Sequence, residues 1–220
     1  MKNIEYRRKL YEALQTKYAS KGLYPQTSKL RYVFELTANG QHYQKQLALE
    51  TSVKHVTERY LRTQDLFQAY AIRFGVMIEA AKTGSGRLLT YPLTHPTETQ
   101  KGVFLNLDAE AIWNGTLQLK TGSELTLEAL PLSYFRLERQ APDAEMLTQK
   151  IEATDGVVEL PEKINLVGQK DQTLILDFPV LSTSNISVTL LYRAFAVVEF
   201  HGFLVNGGSS TEMRGTSFNS

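Results

Sequence analysis

The sequence predicts a mainly β protein: a β-sandwich with an N-terminal amphipathic helix and one short internal helix. Three observations lead to this fold class. About eight to ten short runs of strand-forming residues follow one another, turn residues separate them, and a helical stripe is confined to the start of the chain. A chain of 220 residues can bury one substantial core, so we expect a single sandwich domain.

The first element is a basic amphipathic helical arm at residues 1–29. Its apolar side chains recur at helical spacing until Gly22 and Pro25 end the pattern; they are Ile4, Leu10, Tyr11, Leu14 and Tyr18. Up to Arg31 the chain carries eight Lys and Arg but only two Glu, a net charge of +6. Because the whole chain has a net charge of +1, the body must carry about −5.

This asymmetry predicts that the arm makes contacts outside the body. Its candidate contact residues, to neighbouring subunits or to nucleic acid, are Arg7, Arg8, Lys9, Tyr11 and Tyr18. A nucleic-acid contact through these cations would be non-specific and sensitive to salt. Two plainer alternatives stay open: the helix lies on its own sandwich, and its charges form a solvated face.

The β-sandwich domain is predicted at residues 30–205. Leu30 to Leu36 and His42 to Leu49 flank Asn39-Gly40, a pair that favours a tight turn, so we expect a hairpin there. Two further strand-like segments follow at residues 53–62 and 66–80. In the second segment the alternation of apolar residues changes phase, which predicts a bulge near Gly75.

The rest of the body continues this pattern. Asp108 to Gly115 has the capping residues of a short helix, whose Ile112 and Trp113 would close one end of the sandwich. Further strands are predicted at residues 116–120, 125–127, 157–160, 164–167, 174–180 and 186–205. Residues 206–220 are rich in Gly and Ser, and we expect a flexible tail there.

Composition removes several classes of protein. Without cysteine the chain has no disulfide, no thiolate catalyst and no cysteine-ligated metal. The N-terminal residues lack the apolar run of a signal peptide. The most apolar segment, residues 186–205, contains Arg193, Glu199 and His201 among β-branched and aromatic residues. It is therefore predicted to be a buried strand, and no transmembrane segment is expected.

No motif for catalysis, cofactor binding or metal binding is found. The four histidines are isolated from one another, and none has a carboxylate at the spacing of a metal-ligand motif such as His-Glu-X-X-His. A metal site assembled from distant strands stays open. Gly84-Ser85-Gly86 lacks the frame of a nucleophile elbow, and no phosphate-binding glycine loop occurs. The sequence therefore predicts a protein that is not an enzyme, with no cofactor.

Three stretches together resemble the jelly-roll capsid proteins of tailless icosahedral bacteriophages. The first comprises Val56 to Leu61, Phe67 to Ile78 and Leu89 to Pro92. The second is Leu107 to Leu119, and the third joins Leu174 to Pro179 with Phe200 to Val205. The resemblance implies a single jelly roll, because double jelly-roll capsid proteins are longer than this chain. It also implies a self-assembling virion protein, with the roles of major capsid, minor vertex and spike base all open.

We accordingly expect a bacteriophage structural protein, a capsid or vertex component that forms homo-oligomers and meets other virion proteins. Its location would be the virion, or the cytoplasm if the resemblance fails. The alternative is a non-catalytic β-sandwich module that recognises carbohydrate or a partner protein through residues 83–87 and 91–101, with Tyr91 as its aromatic contact.

Overall fold

A computed structural model describes residues 4–37, 40–48, 55–80, 87–89, 112–135, 156–179 and 192–209. The predicted mainly β class is confirmed: two antiparallel sheets face each other and one helix precedes them. The elements are α1 (Ile4–Ala19), β1 (Gln26–Glu35), β2 (His42–Gln46), β3 (Leu66–Ala80), β4 (Arg87–Leu89), β5 (Thr116–Thr121), β6 (Glu124–Pro131), a 3-10 helix (Leu132–Phe135), β7 (Val157–Val167), β8 (Gln172–Asp177) and β9 (Tyr192–Val205).

The first sheet, sheet A, is built around two long strands. Its order is β1-β9-β3, and the far edge of β3 is shared by β7 along Leu66 to Arg73 and by β4 along Val76 to Ile78. The second sheet, sheet B, has the order β2-β8-β5-β6. Every pair in both sheets is antiparallel.

The core lies between the sheets. Alternate residues of the strands point inward and are aliphatic or aromatic, as expected for strands with one face on a core. Ile112 and Trp113 are buried among them. The rings of Trp113 and Phe74 pack in a T-shaped arrangement, with their centroids 5.2 Å apart. Of the predicted helix at residues 108–115, Ile112 and Trp113 are helical and a turn follows, while residues 108–111 lie outside the described part.

The hairpin predicted around Asn39-Gly40 is wrong. Strand β1 pairs with β9 in sheet A, whereas β2 pairs with β8 in sheet B. The connection between them, residues 36–41, therefore crosses from one sheet to the other. Leu36 and Leu47, one in each of the two predicted hairpin strands, are both buried in the core between the sheets. Residues 55–62 form turns and one isolated bridge, Arg31 to Arg59, instead of a strand.

The bulge in β3 is real but lies elsewhere. Gly75 pairs regularly with Val197, and the register shifts between Ala69 and Ala71. There Tyr70 and Ala71 both belong to the apolar cluster on the outer face of sheet A, while Ile72 resumes the inward face. Two consecutive residues on one face are what a bulge produces.

Two described segments lie at the predicted domain boundaries. Because β1 begins at Gln26, the boundary predicted between residues 29 and 30 falls inside that strand. At the other end, residues 206–209 of the predicted tail are held against the body. The Gly207 amide donates to Asp65 Oδ1 at 3.0 Å, and the Ser209 amide donates to the Gln64 carbonyl at 3.0 Å. Residues 210–220 lie outside the described part of the chain.

Candidate functional site

The outer face of sheet A is covered by helix α1. Leu10, Leu14 and Tyr18 are spaced by four residues, so they share one side of the helix. They bury themselves on apolar side chains of β3, β7 and β9, namely Leu66, Tyr70, Ala71, Val167, Phe203 and Val205. The helix then ends at a turn in which Gly22, at a φ of 70°, adopts the left-handed conformation.

Three of the five predicted arm residues face the same chain's sheet. Tyr18 is fully buried against it. The Tyr11 ring meets Phe203 edge-on, with ring centroids 5.5 Å apart. The Arg7 guanidinium lies 4.9 Å from the centre of the Tyr70 ring and 3.4 Å from the Glu159 carboxylate. These residues therefore fix the helix to its own body.

Arg8 and Lys9 lie on the solvent side of α1 and pair along the helix. Arg8 Nε is 2.7 Å from Glu12 Oε1, and Lys9 Nζ is 3.4 Å from Glu5 Oε1. Both pairs have the i, i+4 spacing that suits helical ion pairs. The arm's contact with nucleic acid or neighbouring subunits stays a prediction, and Arg8 and Lys9 are the two predicted residues most open to such a partner.

Beside the helix, the outer face of sheet A holds a charged cluster around Glu199. The register places Glu199 of β9 directly between Arg31 of β1 and Arg73 of β3. Its carboxylate lies 2.7 Å from Arg31, 3.6 Å from Lys29, 3.6 Å from Arg73 and 3.7 Å from His201. The Glu199 side chain is 1% exposed, so one carboxylate is enclosed by three cations, two from β1 and one from β3.

Two opposing effects act on the pKa of Glu199. Burial is the largest single effect and would raise this pKa, because a charged group loses its hydration. The nearby His201 and the charges of Lys29, Arg31 and Arg73 together outweigh it and lower the pKa from 4.5 to about 2. Glu199 is therefore ionised in the folded chain, and the net charge of this cluster is positive.

Glu58 is a second buried carboxylate. The sequence predicted a role neither for Glu58 nor for Glu199. Its Oε1 accepts from the Val33 amide at 2.8 Å and from the ammonium of Lys45. Its Oε2 accepts from the Tyr60 hydroxyl at 2.9 Å and from the His55 amide at 3.1 Å. Burial, followed by the Glu58 charge, raises the pKa of Tyr60. Glu58 thus joins residues 55–60 to the edge strand β1.

The histidines that the structure describes take separate places. His42 Nδ1 is 2.6 Å from Asp177, His55 Nδ1 is 2.8 Å from the Thr57 hydroxyl, and His201 belongs to the Glu199 cluster. Within the described ranges no three His, Asp or Glu side chains form a group suited to a metal ion. His95 lies outside those ranges, as do residues 83–86 and 91–101 of the alternative binding loops.

The charged clusters left weak signals in the sequence. Arg193, Glu199 and His201 interrupt an apolar run, and this interruption indicated a strand instead of a membrane helix. It did not reveal their partners, because Arg31 lies 168 residues from Glu199. The two ion pairs on α1 follow from i, i+4 spacing and were visible in the sequence.

Comparison of the chain with protein-family models, with curated proteins and with solved structures finds no match in any of the three. Of the helices within the described residues, none has the length and apolar character needed to cross a membrane. The function is therefore argued from the strand pairing and the surfaces.

Proposed function

We propose that this chain is a structural protein of a bacteriophage particle, a single jelly roll that assembles with copies of itself and has no catalytic role. The observation that carries the proposal is the nesting of the strand pairs. When the three-residue strand β4 is left out, the first four strands pair with the last four in reverse order. The pairs are β1 with β9, β2 with β8, β3 with β7, and β5 with β6.

Such nesting is what a long hairpin gives when it rolls up into two sheets. With the short strand β4 set aside, the sheet orders are β1-β9-β3-β7 and β2-β8-β5-β6. Eight strands in two Greek keys define the jelly roll, an architecture that occurs in viral capsid proteins, lectins and cupins. The strand order therefore supports the fold that the resemblance to phage capsid proteins implies.

The packing of the interior favours a structural role over a cupin-like enzyme. A cupin holds its metal and substrate between the sheets, but here that space is filled by apolar side chains from both sheets, including Phe67, Phe74, Leu117 and Leu174. The loops of the alternative binding module at residues 83–86 and 91–101 lie outside the described part of the chain. Exposed apolar side chains on the surface are available for subunit contacts.

The apolar side chains available for such contacts are exposed at separate places. The largest are Ile4, Tyr24, Val56, Leu125 and Tyr134. Leu125 lies on β6, which forms an edge of sheet B, and Tyr134 follows in the 3-10 helix. An edge strand with exposed apolar side chains is a common contact between chains. We expect this edge of sheet B to be covered in the assembly.

Assembly is tested by sedimentation velocity over a wide concentration range, together with negative-stain electron microscopy of the concentrated protein. We expect closed rings or shells of defined size. The double variant Leu125→Glu/Tyr134→Glu places like charges in the contact and should lower the assembled fraction at least tenfold. A chain that stays monomeric at every concentration contradicts the proposal.

The control is Val56→Glu, which adds a charge at another exposed apolar position far from β6 in sequence. It should assemble as the unsubstituted chain does. Equal loss of assembly in both variants would show that the subunit contact is not specific to the edge of sheet B. Circular dichroism verifies that every variant keeps its sheet structure.

A further inference from the structure

A basic groove lies at one end of the sandwich, beside the first residues of β1. It has a volume of about 400 Å³ and is lined by Ser28, Lys29, Arg59, Arg62, Asp65 and Asn206, among others. A second hollow of about 390 Å³ adjoins it and shares Arg62, Asp65 and Asn206 with it. Three cations against one carboxylate give this groove a net positive charge.

The cations of the groove differ from those of helix α1 in their partners. Arg7, Arg8 and Lys9 each meet a carboxylate of the same chain. The exposed side chains of Arg59 and Arg62 form no ion pair with any residue in the described part of the chain. Within the described residues, the groove therefore holds two exposed arginines that have no carboxylate partner, whereas these three cations of the helix each have one.

The backbone beneath these two arginines is held firmly. Arg59 exchanges both backbone hydrogen bonds with Arg31 of β1, at 3.0 and 2.9 Å. The Arg62 carbonyl accepts from the Asp65 amide at 3.0 Å and lies so close to Gly168 that a Cβ there would come within 2.0 Å of it. Because the backbone here is fixed, a ligand has to order only the arginine side chains.

One wall supplies neutral hydrogen-bond donors. Ser28 and Asn206 line the groove, and Thr63 and Gln64 line the adjoining hollow. Hydroxyl and amide donors beside Arg and Lys are the groups that contact phosphate oxygens and sugars in nucleic-acid complexes. Asp65 accepts from the Gly207 amide through its Oδ1, and the three cations of the groove outnumber its single negative charge.

The groove offers no surface for reading bases. Its aromatic residue is Tyr60, whose ring packs edge-on against Tyr32 at 5.4 Å and whose hydroxyl donates to Glu58. Stacking needs a free aromatic face, and base readout needs side chains that reach base edges. We infer that this groove binds the phosphate backbone of nucleic acid through Lys29, Arg59 and Arg62, without regard to base sequence.

The measurement uses the full chain with two fluorescent single-stranded DNA 20-mers of unrelated sequence, by anisotropy. Both should bind equally, and three phosphate contacts imply a slope of log K against log salt of about −2. Arg59→Gln/Arg62→Gln should weaken binding at least tenfold at low salt and reduce the slope by about 1.4. Lys29 is left unchanged because it also lies beside Glu199.

The matched control is Lys120→Gln/Lys163→Gln, which removes the same charge from two exposed positions on β5 and β7. It should change the affinity less than twofold, as should Arg8→Gln/Lys9→Gln on the helix. Thermal melts establish that each variant is folded. Failure of the unsubstituted chain to bind at low salt overturns the inference. So does equal weakening by the groove, control and helix variants.

Inorganic phosphate distinguishes a nucleic-acid site from a site for one phosphate group. At equal ionic strength, phosphate should displace the DNA no better than chloride does. Selective displacement by low concentrations of phosphate would assign a small-anion site and overturn the nucleic-acid proposal. The inference does not depend on assembly, because these measurements are made at concentrations where the chain is unassembled. Its failure would leave the structural role of the chain untouched.

Discussion

The outer faces of the two sheets are built differently. On sheet A, helix α1 covers one part of the outer face, and a second apolar cluster of Val33, Met77, Phe195 and Val197 is buried on β1, β3 and β9. Strands β3 and β9 are therefore buried on both faces. On sheet B, the burial of β6 follows no inward stripe, and Leu125 is 49% exposed. A sheet that is covered on both sides can hold charges out of water, whereas an open sheet leaves them solvated.

The two faces consequently place the same kind of group in opposite conditions. Glu199 on sheet A is 1% exposed beneath three cations. Asp177 on sheet B is 39% exposed and contacts His42 and Gln118. Each carboxylate has cross-strand partners, but burial makes only the first one costly to leave unpaired.

The largest expected effect follows from removing the buried charge. Glu199→Gln leaves Arg31 and Arg73 crowded together without a counter-charge, and we expect it to lower the free energy of unfolding by about 3–4 kcal/mol. The matched change on the open sheet, Asp177→Asn, should cost less than about 1 kcal/mol. Urea denaturation of both variants at neutral pH measures the difference. Equal losses would mean that the two faces are electrostatically alike.

A smaller effect is expected from the apolar contacts. Leu14→Ala removes a buried side chain from the contact between α1 and sheet A and should cost about 2–3 kcal/mol, because a surface helix can settle partly into the gap. Leu125→Ala on sheet B should change the unfolding free energy by no more than about 0.5 kcal/mol. Thermal melts at low protein concentration keep subunit contacts out of the comparison. An unchanged melting temperature in Leu14→Ala would show that the helix contributes nothing to the fold.

The smallest expected effect is the pH dependence of sheet A. The pKa of Glu199 is lowered in the folded chain to about 2, so its ion pairs stabilise the fold above the ordinary value of 4.5 and are lost as the pH falls towards 2. The whole contribution is about 3 kcal/mol, of which about 2 kcal/mol is lost between pH 5 and pH 3. The difference in stability between the unsubstituted chain and Glu199→Gln should therefore shrink steadily from about pH 5 to about pH 3. A constant difference across that range would exclude Glu199 as its source.

Local patterns in the sequence predicted elements better than their partners. Strands β3 and β9 and the helix at residues 4–19 follow from apolar runs and spacing. The hairpin at Asn39-Gly40 failed because a turn signal states that the chain reverses but not which sheet it enters. The bulge was misplaced because Gly75 is the residue that tolerates one, whereas Tyr70 and Ala71 are the residues that α1 requires on one face.

The candidate sites show the same limit. The sequence marked α1 as the basic surface, since charge can be counted along the chain, but pairing with Glu159, Glu12 and Glu5 compensates three of its cations. Arg59 and Arg62 lie three residues apart in the sequence, a spacing that by itself indicates no binding site. Their significance depends on Lys29 and Asn206, which are brought beside them only by the folded sandwich.

The pairing of the first strand, β1, with the last strand, β9, determines when sheet A can form during protein synthesis. Strand β9 lies between β1 and β3, so these two strands have no connection within sheet A until β9 is inserted. Roughly 110 residues separate the end of β3 from the start of β9, and a ribosome needs on the order of ten seconds to add them. Throughout that interval the edges of β1 and β3 that β9 will occupy have no partner strand. The nascent chain must keep these edges from pairing with other chains, and the sandwich closes only when residues 192–205 have left the ribosome.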